Sequence, residues 1–128
     1  MKLKALLLSV LLVSGFAHAK YLCSYETYIS QNNTVNSEGK SLARGNTKAS
    51  AAAIIQQDRA DFYQDWRDSA DENDDADCYF NKKTNRMKIP AMLNRGSISA
   101  STIRQIVQGN VWISVDVYST HIDVSTSQ

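Results

Sequence analysis

The sequence predicts an α+β domain: a small antiparallel sheet covered on one face by one long and two short helices and tied by one disulfide. Three observations carry this reading: apolar alternation near both ends of the domain, a long amphipathic stretch between them, and a cysteine count of 2.

Residues 1–19 are expected to lie outside that domain. Lys2 and Lys4 form a basic region, Leu6 to Val13 an apolar run, and Ala17-His18-Ala19 a small-x-small cleavage site, the three parts of a secretory signal. Ser9 and Ser14 interrupt the run, which falls short of the roughly 20 apolar residues that span a bilayer. Bulky Tyr21 and Leu22 before Cys23 disfavour lipid attachment there. The expected product is a single exported domain, residues 20–128, in the periplasm or secreted, with no membrane insertion after cleavage.

Cys23 and Cys78 both remain after cleavage, and two thiols in an oxidising compartment read as one disulfide. A closed loop of that length stabilises a small domain by about 4 kcal/mol in the chain-entropy treatment.

Element by element, Tyr21 to Ser30 alternates, with Tyr21, Cys23, Tyr25, Thr27 and Ile29 on one side, so a strand facing the core is expected. Residues 31–46 are polar and read as a loop or a loosely paired hairpin arm. Asn46 or Thr47 can cap a helix from Lys48 to about Arg67, on which Ala51, Ala52, Ile55, Phe62, Tyr63 and Trp66 share an apolar face. Asp68 to Asp77 is too acidic for a packed helix and reads as a surface loop. Cys78-Tyr79-Phe80 reads as a short buried strand, followed by a turn over 82–85 and residues 86–89.

Pro90 and Gly96 bracket one short helix, and Ser99 and Gly109 bracket another through Ile103, Ile106 and Val107. Val111, Ile113, Val115 and Val117 then mark a strand with one buried face. The apolar phase slips at Ser119, so a bulge or turn is expected near His121 before Ile122 and Val124.

Motifs serve mainly to exclude. His121 is the one imidazole left after cleavage, which puts a histidine-rich zinc site out of reach. There is no Gly-x-Ser-x-Gly elbow, Gly-rich phosphate loop, dinucleotide fingerprint or paired Cys-x-x-Cys. No catalytic residue and no cofactor is assigned. The alternative enzyme reading is a small ribonuclease-like hydrolase using His121 as acid, an arginine, and a glutamate such as Glu26 as base.

The near-neutral net charge of +1 conceals a strong asymmetry. Between Asp58 and Asp77 lie nine acids and two arginines, whereas Tyr79 to Val115 holds six basic residues and no acid. Asp58, Asp61, Asp65 and Asp68 recur at helical spacing and form a stripe in which like charges repel by roughly 0.2–0.5 kcal/mol per pair. That stripe is the candidate partner-binding surface, suited to steering association with a basic protein. Nucleic acid is not expected, because the acidic region would repel it. Asp71, Asn73, Asp75 and Asp77 alternate like the start of a calcium loop, yet Ala76 stands at the glycine position and Lys82 at the bidentate glutamate position. This makes a weak metal candidate and a second alternative, a calcium-binding envelope protein. The leading expectation is an exported binding protein: an inhibitor, immunity or accessory factor for another envelope or secreted protein.

Overall fold

The computed structural model describes residues 18–64 and 74–127. The basic and apolar parts of the signal lie outside them, as do Asp65, Trp66, Arg67, Asp68, Asp71 and Asn73. Strands β1 (Tyr21–Ile29), β2 (Val111–Tyr118) and β3 (Ile122–Thr126) form an antiparallel sheet in the order β1-β2-β3. Helices α1 (Lys48–Gln64), α2 (Lys83–Arg86), α3 (Ile89–Arg95) and α4 (Ala100–Gln108) accompany it. The architecture is α+β as expected, with the one-turn α2 in addition.

Alternation produces the core. Tyr25, Thr27 and Ile29 of β1, Ile113, Val115 and Val117 of β2, and Ile122 and Val124 of β3 all point inward and are buried. They meet Ala51, Ala52, Ile54 and Ile55 of α1, Leu93 of α3 and Ile106 of α4. Tyr21 departs from the expected face. Tyr21 pairs with Tyr118 and Cys23 with Val117, so Leu22 bulges out of register and turns Tyr21 to the outward face, 56% exposed.

The caps follow local chemistry. Thr47 Oγ1 accepts from the Ser50 amide at the start of α1, and Ser99 Oγ accepts from the Thr102 amide at the start of α4. Gly109, at φ 82°, ends α4 in a conformation that a side chain resists. Gly96 ends α3 for a different reason: a Cβ there would lie 1.7 Å from the Ile122 carbonyl oxygen, so only glycine lets the helix end close on β3. The phase slip near His121 is a tight turn, in which the Tyr118 amide donates to the His121 carbonyl.

Two connecting segments differ from expectation or refine it. Cys78-Tyr79-Phe80 is not a strand. The Cys23–Cys78 disulfide anchors its start, and the Asp77 carboxylate accepts from the Tyr79 and Phe80 amides, bending the chain toward α2. Asn85 and Arg86 side chains then donate to the Tyr79 and Phe80 carbonyls, so side chains take the bonds a strand would have made. Residues 31–46 form a short 3-10 turn, Gln31–Thr34, and then a hairpin arm closed by the Val35–Ser41 bridge. Asn36 Oδ1 holds its tip by accepting from the Glu38 and Lys40 amides.

Both sheet edges are occupied. Asp75 donates its amide to the Glu26 carbonyl and accepts from the Glu26 amide, while Asp74 Oδ1 accepts from the Tyr28 amide. On the other side, the Val124 amide donates to the Ser97 carbonyl beside an Ile98–Val124 parallel bridge. Covering edges in this way removes the template on which a second chain could pair.

Candidate functional site

Of the aspartate stripe, the two described members, Asp58 and Asp61, are buried. Asp58 is 2% exposed and Asp61 9% exposed, and both face the interior because Asp58 lies four residues after Ile54 and three after Ile55. Thr27 Oγ1 donates to both Asp58 oxygens at 3.0 Å. Asn33 Nδ2 and Gln57 Nε2 donate to Asp61 at 2.8 and 2.7 Å, tying the 3-10 turn to α1. The structure therefore corrects the expected exposure of these two residues. Asp65 and Asp68 lie outside the described residues.

Between these aspartates sits a residue that the stripe obscured. Arg59 is 0% exposed, with Nε 3.1 Å from Asp58 Oδ2 and Nη1 2.9 Å from Asp77 Oδ2. Its Nη1 also donates to the Asp75 carbonyl, and its Nη2 to Thr27 Oγ1. The guanidinium lies 4.2 Å from the Tyr25 ring centroid and 4.7 Å from that of Phe62. The signal was in the sequence: Arg59 falls four residues after Ile55 and three before Phe62, on the apolar stripe itself.

One cation thus serves two carboxylates. Burial pushes the Asp58 carboxyl up to about 7, with Arg59 opposing the shift and the charge of Asp74 adding to it. Burial likewise raises the Tyr63 hydroxyl, which donates to Asp77 Oδ2 and accepts from the Asp77 amide. Asp75 and Asp77, two of the four calcium candidates, are engaged in these intramolecular bonds, and Asp71 and Asn73 lie outside the described residues. Among the described residues no three His, Cys, Asp or Glu side chains converge as metal ligands, and no helix is long and apolar enough to cross a membrane.

The outward face of the sheet is different in character. The helices pack on the inward face and, among the described residues, leave this one open; Ser24, Glu26 and Ser125 are exposed, and Trp112, Asp116 and Asp123 half-buried. Register places Tyr28 opposite Trp112, Glu26 opposite Ser114, Ser114 in turn opposite Ser125, and Asp116 directly opposite Asp123. Three carboxylates therefore cluster at mid-sheet with no Lys or Arg at any outward strand position. Ser24 Oγ donates to Asp116 Oδ1 at 2.6 Å, and the Ser97 amide donates to Asp123.

Aromatic rings flank the carboxylates. Tyr28 and Trp112 lie 5.4 Å apart at one end; Tyr21, Tyr118 and His121 cluster at the other, His121 stacking on Tyr118 at 4.5 Å. His121 Nε2 lies 3.8 Å from Asp123. Glu26 pairs opposite Ser114, four residues along β2 from Tyr118, a separation of about 13 Å at strand rise.

A shallow groove of about 360 Å³ lies between α1 and the 3-10 turn, lined by Asn32, Val35, Asn36, Gln57, Asp61 and Gln64. It offers amides, the Ser37 hydroxyl and a carboxylate whose two oxygens already accept hydrogen bonds. No protein-family model, curated protein or solved structure matches the chain.

Proposed function

We propose that the chain is an exported binding protein, an inhibitor, immunity or accessory factor for another envelope or secreted protein. The outward face of the sheet is the surface it presents to a basic region of that partner. The observation that carries this reading is the placement of Glu26, Asp116 and Asp123 together on an aromatic-flanked face that the described helices leave open and that has no Lys or Arg at an outward strand position. Like charges directly opposite in a sheet destabilise it, and a fold that keeps such a pair on an open face holds a surface suited to cations. A protein partner supplies Lys and Arg to neutralise it, with association steered by charge and weakened by salt. Aromatic residues at both ends supply the rigid apolar contact area that interface centres favour.

The test compares the exported protein with a Glu26→Gln/Asp116→Asn/Asp123→Asn variant as bait for the secreted and periplasmic fractions of the host. A stoichiometric partner held by the parent at low salt and lost by the folded variant supports the reading. Equal retention by both moves the interface off this face, and no stoichiometric partner for either counts against a binding function.

A further inference from the structure

Resting on that reading, we infer that the partner's anchor on this face is an arginine, its guanidinium laid on the Trp112 and Tyr28 rings and taken by the Glu26 carboxylate. The argument begins inside the molecule, where an arginine site can be inspected. Arg59 is held by three kinds of group: an aromatic face, Tyr25 at 4.2 Å; carboxylates, Asp58 and Asp77; and a hydroxyl, Thr27. The outward face offers the same three kinds on adjacent rungs of two strands. Tyr28 and Trp112 face each other on one rung, Glu26 and Ser114 on the next same-face rung, and Ser24 and Asp116 on the one after. Same-face rungs are separated by about 7 Å, so a side chain crossing Trp112 reaches Glu26, with Asp116 on the diagonal.

This combination selects arginine over lysine on chemical grounds. A guanidinium is planar, weakly hydrated and forked, so it can stack on a ring while donating two hydrogen bonds to a carboxylate. An ammonium is a compact, strongly hydrated point charge that gains from the carboxylates but cannot stack flat on the ring, so it gains less there than a guanidinium. Every acid on the face attracts both cations; the ring pair beside Glu26 separates them.

Two probes of equal charge, tetra-arginine and tetra-lysine peptides, are titrated into the ¹⁵N-labelled full chain at low salt, following the Trp112 indole and the Glu26 amide. The expected result is that the arginine peptide binds roughly two- to fivefold tighter, the scale of a cation–π contact at an exposed site. Trp112→Leu should bring both peptides to the lysine value, and Trp112→Phe, which keeps a ring on the strand, should restore the preference. Equal affinities in the parent, or a preference unchanged in Trp112→Leu, would overturn the arginine anchor while leaving the basic-surface reading standing. If neither peptide shifts the outward-face amides, both readings fail.

Discussion

Arg59 Nη1 meets Asp77 Oδ2 at 2.9 Å, across 18 residues of sequence, with both side chains shielded from water. This pair joins the long helix to the segment that runs along the edge of β1, and the Cys23–Cys78 disulfide lies one residue further on. Substituting Arg59 with Ala should therefore cost about 3–5 kcal/mol, because it strands Asp58 and Asp77 without their cation. Against a typical domain stability of about 5–15 kcal/mol, that is a large share. Urea unfolding of the two proteins checks it. Adding Asp77→Asn to the Arg59→Ala variant should recover part of the loss, since its stranded charge is removed; no recovery would show that the loss is one of packing.

Asp58 gives the domain an unusual pH dependence. Its folded-state carboxyl is raised from 3.8 to about 7, so the folded state holds a proton that the unfolded chain releases over that window. Its contribution is fully present below about 4 and is lost as pH rises through 7. Unfolding free energy should accordingly increase as pH is lowered from 8 to 5, by at most about 1.4 kcal/mol per unit. Asp58→Asn, which can still accept from Thr27, should flatten the profile over the same range. A variant profile parallel to the parent's would locate the titration elsewhere.

Much of this fold was legible because its rules are local. Val111, Ile113, Val115 and Val117 alternate along β2, Ser99 and Gly109 bracket α4, and Thr47 caps α1; each needs only neighbours a few residues away. The acid-rich region was read less well. Asp58 and Asp61 at helical spacing look like a solvated stripe, and part of what makes their burial tolerable comes from Thr27 and Asn33, far off in sequence. Asp77 had a further role that composition concealed, since its carboxylate bends the chain where apolar residues 78–80 suggested a strand. The outward face was missed for a related reason. Glu26, Asp116 and Asp123 sit on three different strands, so only the register brings them together.

Gly96 offers a test of the close approach between α3 and β3. A methyl group added there would meet the Ile122 carbonyl oxygen at 1.7 Å, and a backbone atom in a paired strand cannot step aside as a flexible side chain could. Gly96→Ala should lower the melting temperature by the equivalent of about 1–3 kcal/mol or more, the usual cost of overpacking. Its φ of −96° is open to any residue, so the loss would report contact and not backbone strain. An unchanged melting temperature would mean that the end of α3 can move away from Ile122 without cost.

Asp116 stands directly opposite Asp123, and the two carboxylates repel across the strand pair. Asp116→Asn removes one charge and leaves an oxygen that can still accept from Ser24 Oγ, so the variant should be more stable by about 0.2–1 kcal/mol. Because the term is electrostatic and the residues are partly exposed, the gain should shrink in 1 M salt, where the screening length is about 3 Å. The same substitution should weaken binding to a basic partner and reduce its salt dependence. Opposite signs for stability and binding are the signature of a charge kept for recognition at the fold's expense. If Asp116→Asn destabilises the domain, the Ser24–Asp116 bond is structural, and the carboxylate is there to accept it.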